Sequence, residues 1–171
     1  MKIYYSDTFE VPLPNGHRFP MSKYGKLRNR LIDEKIIEAE YIEADVCDIH
    51  DLYLAHDKDY VNAVLNLTLE RKLARPVGLP LSSEMILRAR ASMQSFLSAV
   101  QTAQDEGISS SLAGGTHHAH RDRGEGFCFF NDFAVATRKI HLKDSSKKIL
   151  ILDLDVHQGN GNSSILKNDQ N

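Results

Sequence analysis

The chain has 171 residues, of which 42% are hydrophobic and 26% charged, and its net charge is −2 at pH 7. This length fits one domain, and the nearly neutral charge gives no reason to expect nucleic-acid or anionic-membrane binding. No apolar run approaches the roughly 18 to 20 residues that cross a bilayer, and no signal-peptide pattern opens the chain. With only two cysteines, too few for a disulfide framework, we expect a soluble protein of the reducing cytoplasm.

Strand and helix signals alternate along the chain. Short apolar or aromatic runs predict strands at 2–5, 40–44, 108–113 and 149–155. Apolar residues at helical spacing predict helices at 21–37, 57–69, about 82–104 and 133–141. The residues that we expect to cap helices are Ser22, Ser82 or Ser83, and Asn131 or Asp132. Such alternation predicts an α/β fold, with a mostly parallel sheet between helical layers in a three-layer αβα arrangement.

Histidines and carboxylates follow two of the predicted strands. His117 and His118 come after strand 108–113, while Asp153, Asp155 and His157 stand at i, i+2 and i+4 around the end of strand 149–155. In extended backbone these last three side chains project from one face. The carboxyl ends of parallel strands meet at one sheet edge, so we expect a single shared site there. Imidazole and carboxylate are ligands of zinc or a similar divalent metal.

Each of these residues also has a simpler interpretation. An Asp at a strand end often caps a turn, and a histidine pair beside His120 is compatible with a polar surface loop. Phe127 is compatible with plain core beside its aromatic neighbours. We expect both cysteines, Cys47 and Cys128, to be inert. The remaining histidines, predicted to be surface or loop residues, are His17, His50, His56 and His141.

Two stretches resemble the zinc-dependent histone deacetylase family and its bacterial acetylamide-hydrolase relatives. They are GGTHHAHRDRGEGFCFFND at 114–132 and DLDVHQGNG at 153–161, whose HQGNG ending is most similar to class IV members. The opening GHRFPM at 16–21 also resembles the family. The resemblance implies an arginase/deacetylase-like fold, here truncated. It also implies that residues 1–171 are the amino-terminal portion of a single deacetylase domain.

The resemblance assigns zinc chemistry to the second stretch. It implies that Asp155 and His157 are zinc ligands. Asp153 would support a histidine side chain and direct its backbone carbonyl to a structural potassium ion. Asn160 stands behind the second histidine, where class I members carry an Asp, so we expect a weaker base there because a neutral amide stabilises imidazolium less.

The first stretch supplies the remaining parts by resemblance. His118 would act as general base and then general acid, with His117 as its electrostatic and orienting partner. Gly126 and Phe127 would form a wall of a narrow channel for an acyl-lysine peptide or a small acylamide substrate. The implied activity is zinc-dependent amide hydrolysis.

Parts of the family pattern find no matching position in these residues. The third zinc ligand, an Asp, and the Tyr that stabilises the oxyanion are both missing, and strand 149–155 would lack neighbouring strands. We therefore expect either a fragment of a longer enzyme or a sheet that rearranges or oligomerises to cover exposed apolar faces. The alternatives are a truncated, non-catalytic product or binding module, and an arginase-like amidinohydrolase. The latter would need an Asp where Gly159 stands.

Overall fold

The computed structural model describes residues 1–35 and 37–169. They form two compact units, the first comprising residues 1–47 and 87–114, and the second comprising 48–86 and the described residues from 115 onward. The predicted helix 21–37 includes residue 36, which lies outside the described residues. The prediction that residues 1–171 are a portion of one domain stays a prediction.

The first unit contains a three-stranded parallel sheet. Its strands are β1 (Lys2–Tyr5), β2 (Glu40–Glu43) and β3 (Ser109–Ser111), in the spatial order β2-β1-β3. Ile3, at the centre of the middle strand, is buried. Strands β1 and β2 agree with the prediction, whereas β3 is shorter than predicted: it consists of three serines, and the apolar residues on either side of them lie outside the strand.

Two helices contribute to this unit. Helix α1 (Lys23–Asp33) is shorter than the predicted segment, and Ser22 precedes it without a side-chain capping bond. The 24-residue helix α5 (Ser83–Glu106) begins in the second unit and continues in the first. Its Thr102 hydroxyl lies 2.8 Å from the Tyr4 hydroxyl, which ties the helix to the middle strand.

The second unit is helical and carries the predicted site loops. Its helices, besides the start of α5, are α2 (Ile49–Leu52), α3 (Lys58–Leu65), α4 (Arg71–Ala74), α6 (Asp132–Lys143) and α7 (Asn160–Leu166). The predicted caps of α5 and α6 are confirmed, because Ser82 Oγ accepts the Met85 N–H at 3.2 Å and Asn131 Oδ1 accepts the Ala134 N–H at 2.9 Å. Helix α7, which packs on α6, was not predicted from the sequence.

The prediction of a strand at 149–155 is wrong for this structure, because no strand is formed there. A strand needs the N–H and C=O groups of a neighbour, and no described strand pairs with this segment. Its side chains nevertheless alternate. Ile149 and Ile151 line a cavity of about 220 Å³ with Thr137 and Leu166. The intervening apolar side chains are 73–93% exposed, as expected for a strand without partners: Leu150, Leu152, Leu154 and Val156.

The cysteines and the helix lengths bear on two further expectations. Neither Cys47 nor Cys128 forms a disulfide, and both are buried. Burial raises the pKa of the Cys128 thiol to about 12, so little reactive thiolate is present at neutral pH, in agreement with an inert residue. Within the described part of the chain, no helix has both the length and the apolar character needed to cross a membrane.

Candidate active site

The two adjacent histidines lie side by side in a loop of the second unit. Their ring centroids are 4.2 Å apart, with His117 buried and His118 half-buried. The buried carboxylate of Asp132 holds the start of this loop, because it accepts the N–H groups of Gly115 at 2.8 Å and Thr116 at 3.1 Å. Burial raises the pKa of Asp132, and these N–H groups oppose that rise. The loop is thereby fixed at its first residues.

Each histidine ring is tethered through Nδ1 to an acceptor. His117 Nδ1 donates to Asp153 Oδ2 at 2.7 Å, and His118 Nδ1 donates to Asn160 Oδ1 at 2.7 Å. Carboxylate and amide oxygens accept hydrogen bonds and do not donate them, so the proton of each neutral ring lies on Nδ1. The lone pair is then on Nε2. Among the described residues, none hydrogen-bonds Nε2 of His118, which leaves this atom able to take up a proton.

Asp155 and His157 lie beside the histidine pair. Asp155 Oδ1 is 4.0 Å from His117 Nε2, and the ring centroids of His118 and His157 are 5.9 Å apart. The predicted meeting of the two loops is therefore observed, with Asp153, Asp155 and His157 all beside the histidine pair. Their roles stay predictions.

Both aspartates beside the histidine pair are held as anions. The hydrogen bond from His117 lowers the pKa of Asp153, with a further contribution from the Asp155 N–H. The backbone N–H of His157 lowers the pKa of Asp155, and the His157 ring adds to this effect. Two carboxylates two residues apart therefore remain ionised near neutral pH, and their negative charge favours a cation or a protonated ring nearby.

These side chains do not complete a catalytic zinc site. Asp155 and His157 offer two donors, and they already bond to each other, since His157 Nδ1 lies 2.9 Å from Asp155 Oδ1. Across residues 1–35 and 37–169, no three His, Cys, Asp or Glu side chains are placed to hold one metal ion. Catalytic zinc normally takes three protein ligands, so the residues present fit only part of such a site.

One of the two predicted channel residues, Gly126, lies against the second histidine. Gly126 has φ +55°, and a Cβ there would lie 2.5 Å from Cδ2 of the His118 ring. Phe127 also has a positive φ, +67°, which is strained for a residue with a side chain. Its N–H donates to Val77 O at 2.7 Å. Phe127 is half-buried whereas Phe129 and Phe130 are buried, so it is not a plain core residue.

His56 is a buried structural residue, and its prediction as a surface or loop histidine is wrong. It is 2% exposed; its Nδ1 donates to His120 O at 2.8 Å, while its Nε2 accepts the Asn131 N–H at 2.9 Å. Burial lowers its pKa to about 4. His120, which the sequence places in a polar loop, is also buried. Both histidines have polar neighbours in the sequence, and for this reason their burial was not predicted.

Asn131 does more than cap a helix. Its Nδ2 donates to Ala119 O at 3.0 Å and to Asn162 Oδ1 at 2.8 Å, so one amide joins the histidine loop to helix α7. The Asn162 N–H in turn donates to His117 O at 3.2 Å. The only signal in the sequence was an Asn-Asp pair at a helix start, which indicates a cap and nothing further.

Gly161 lets helix α7 approach the histidine loop, and Gly161→Ala should therefore destabilise the second unit. A Cβ would collide with Ala119 O and lie 2.6 Å from His117 O, and backbone cannot yield as a flexible side chain does. We expect a loss of about 1–3 kcal/mol in the free energy of unfolding, measured by urea denaturation. The His118–Asn160 bond should loosen with it.

Ser164→Ala is the matched control, because this residue is exposed on the same helix. Alanine favours a helix over glycine by about 1 kcal/mol, so propensity alone would make Gly161→Ala stabilising. An unfolding free energy that rises in the glycine variant would show that the close approach is absent.

Comparison with known proteins identifies the family. The family model described as Histone deacetylase domain matches residues 17–171. The chain belongs to the histone deacetylase family. An uncharacterized protein of Picosynechococcus sp. is 38% identical over 168 residues, which cover 98% of this chain and 56% of that protein. Histone deacetylase 2 of Arabidopsis thaliana is 26% identical over 179 residues, covering 99% of this chain and 46% of that protein.

A solved structure agrees with this assignment. The crystal structure of an HDAC homologue complexed with SAHA has a TM-score of 0.76 and 25% identity, and the match covers 96% of this chain and 47% of that one. The predicted arginase/deacetylase-like α/β fold is thus confirmed. The chain spans about half the length of the curated relatives that it matches.

Proposed function

We propose that this chain supplies the proton-transfer groups of a site that hydrolyses an acyl-lysine or a related acylamide. The observation that carries the proposal is the tethering of His117 and His118 through Nδ1, at 2.7 Å each, which leaves Nε2 of both rings basic. Family membership supports amide hydrolysis as the reaction. A histidine suits this task because its ordinary pKa lies close to neutral pH.

His118 is the general base and then the general acid. Its Nε2 takes a proton from water as the water oxygen attacks the acyl carbon, and later delivers that proton to the leaving nitrogen as the C–N bond breaks. The products are a carboxylic acid and an amine. Asn160 keeps the His118 proton on Nδ1, so that Nε2 faces the reaction as a lone pair.

His117 orients and stabilises charge beside that base. Its ring is buried, lies 4.2 Å from the His118 ring between centroids, and is bonded to the ionised Asp153. The carboxylate fixes the tautomer and the ring plane of His117. Because this anion also favours positive charge nearby, it stabilises protonation of the histidine pair during the reaction.

Zinc would supply positive charge that polarises an amide carbonyl and acidifies water. Asp155 and His157 are the two donors that we propose for it, and a third is not among the described residues. A structural potassium ion near the Asp153 carbonyl and oligomerisation both stay predictions. A cytoplasmic location also stays a prediction.

The substrate is proposed from the channel residues. Gly126 lies against His118 and Phe127 is the next residue in the chain, and an aromatic face beside a glycine suits the methylene stem of an acyl-lysine or acylated polyamine. The matched structure is that of an HDAC homologue complexed with SAHA, and we extend ligand binding to the present chain. Strain at Phe127, with φ +67°, fits a functional wall.

A hybrid protein tests the proposal. In it, this chain replaces the aligned portion of the Picosynechococcus relative, and hydrolysis of an acetyl-lysine peptide is measured with added zinc. We expect the hybrid to be active wherever the intact relative is active, and Asp155→Ala to weaken zinc binding in a competition titration with a chelator. The chain alone is assayed in parallel.

An incomplete donor set is also compatible with a non-catalytic binding module. A hybrid that binds acetyl-lysine peptide without hydrolysing it, beside an active relative, would favour that alternative. A hybrid that neither binds zinc nor hydrolyses the peptide would rule out the deacetylase proposal.

A further inference from the structure

The side-chain amide behind His118 has two chemically different ends. Asn160 presents Oδ1 to His118 Nδ1 at 2.7 Å, which places the ring proton on Nδ1. If the amide were turned over, Nδ2 would donate to the ring instead, and the proton would move to Nε2. That tautomer has no lone pair on Nε2. The direction of one amide therefore decides whether His118 can act as a base.

Two side chains lie at the other end of this amide. Asn160 Nδ2 is 3.4 Å from Glu125 Oε2 and 3.4 Å from His120 Nε2. Glu125 Oε2 and His120 Nε2 are themselves 3.4 Å apart, so the three atoms form a triangle with nearly equal sides. A carboxylate only accepts hydrogen bonds, and it therefore favours the amide direction that turns Nδ2 toward it and Oδ1 toward His118.

His120 holds that carboxylate in place. Its ring is 6% exposed, and its Nδ1 is buried without a hydrogen-bond partner in the described structure. A proton on Nδ1 would be an orphaned buried donor, whereas a proton on Nε2 reaches Glu125 Oε2. The ring is thus a donor toward Glu125 from a buried position, and its 3.4 Å approach to Asn160 Nδ2 is a contact between two donors, so Glu125 is the acceptor that orients the amide.

We propose that Glu125, held by His120, is a positioning residue that sets the direction of the Asn160 amide and thereby the tautomer of His118. The expected effect of Glu125 on hydrolysis rests on the proposed function, whereas its expected effect on the His118 tautomer does not. An Asp in place of Asn160 would need no such residue, because its two oxygens are equivalent. Beside that second carboxylate, Glu125 would repel rather than orient.

The tautomer is measured on this chain by ¹⁵N–¹H NMR of labelled histidine, without substrate or metal. In the native chain, we expect His118 to show an Nδ1–H cross-peak and an imine-type Nε2. Glu125→Ala should replace this single form with a mixture of two tautomers, and Glu125→Gln, which can still present an oxygen, should do so less. Asp122→Ala is the control, because Asp122 is an exposed acid of the same loop.

A double-mutant cycle separates positioning from a general structural role. In the Asn160→Asp background, Glu125→Ala should leave the His118 tautomer unchanged and should not lower stability. In the hybrid protein, Glu125→Ala alone should lower kcat with little change in KM. A tautomer change without loss of hydrolysis would support the positioning role while counting against His118 as the base.

Two results would overturn the proposal. One is a single Nδ1–H tautomer of His118 that persists in Glu125→Ala and Glu125→Gln alike. The other is an equal effect of Glu125→Ala with and without Asn160→Asp, since a merely structural side chain would act in both backgrounds. Circular dichroism of each variant establishes that it is folded, and Glu125→Gln serves if the alanine variant is not.

Discussion

Lowering the pH from about 6.5 to about 4 should remove about 3 kcal/mol from the free energy of unfolding through His56 alone. The pKa of His56 is about 4 in the folded chain, against an ordinary value of 6.5. Between these pH values the unfolded chain binds a proton at this histidine and the native chain does not. The free energy of unfolding therefore decreases as the pH is lowered. Well above pH 6.5 neither state is protonated, and the effect vanishes. Urea denaturation at stepped pH values measures the slope.

The variant His56→Gln isolates this contribution. A glutamine can still donate to His120 O and accept the Asn131 N–H, but it cannot titrate. Asp132 acts in the opposite direction, because a carboxyl with a raised pKa gains stability as the pH falls, and it is present in both proteins. The difference between the two slopes therefore belongs to His56.

His50→Gln is the matched control, since this histidine ring is exposed. Parallel slopes for the native chain and His56→Gln would contradict the assignment. If the glutamine variant does not fold, ring NMR of the native chain should show His56 neutral down to about pH 4.

His118→Ala should lower kcat of the hybrid protein by about 10²- to 10⁴-fold with little change in KM. The reason is that Nε2 of this ring is the proposed proton acceptor, held ready by the bond from Nδ1 to Asn160 Oδ1. Peptide hydrolysis is followed under saturating substrate, and peptide binding is measured separately by fluorescence anisotropy. His117→Ala should also reduce kcat, because it removes the ring that Asp153 Oδ2 holds beside His118.

Rescue distinguishes a lost base from a lost fold. Free imidazole should restore part of the activity of His118→Ala, because it supplies the missing proton acceptor, whereas it cannot repair a displaced loop. His141→Ala provides the control. This histidine contacts Lys147 O and has no part in the proposed reaction. More than a tenth of the activity remaining in His118→Ala, with Asp155→Ala inactive, would exclude His118 as the base.

The parts of the fold that local sequence signals specify were predictable. Strands β1 and β2 and the caps of α5 and α6 depend on neighbouring residues, and the structure has them where the sequence indicates. Helix α7 was not predicted because its sequence, NGNSSIL, begins with five polar or glycine residues and lacks apolar residues at helical spacing. The strand at 149–155 failed for another reason, since its formation depends on partners that no local signal provides.

In the candidate site too, the sequence predicts features that depend on local spacing but not those that depend on distant segments. The spacing of Asp153, Asp155 and His157 indicated a shared face, and in the structure all three lie beside the histidine pair. The burial of His56 and His120 could not be read from their polar neighbours, because it arises from segments distant in sequence that close over them. The contacts of Asn160 with Glu125 and His120 likewise depend on residues that lie 35 and 40 positions earlier in the chain.

Along residues 149–157, the side chains that can take part in chemistry and the exposed apolar side chains alternate. Odd-numbered positions carry Asp153, Asp155 and His157, while even-numbered positions carry only apolar side chains that face water. Inserting one residue ahead of Asp153 would exchange the two sets and present Leu154 and Val156 to the histidine pair. Inserting two would restore the odd set, shifted along the segment by one repeat of about 7 Å. Even-numbered leucines can therefore be made polar without touching any group that handles protons.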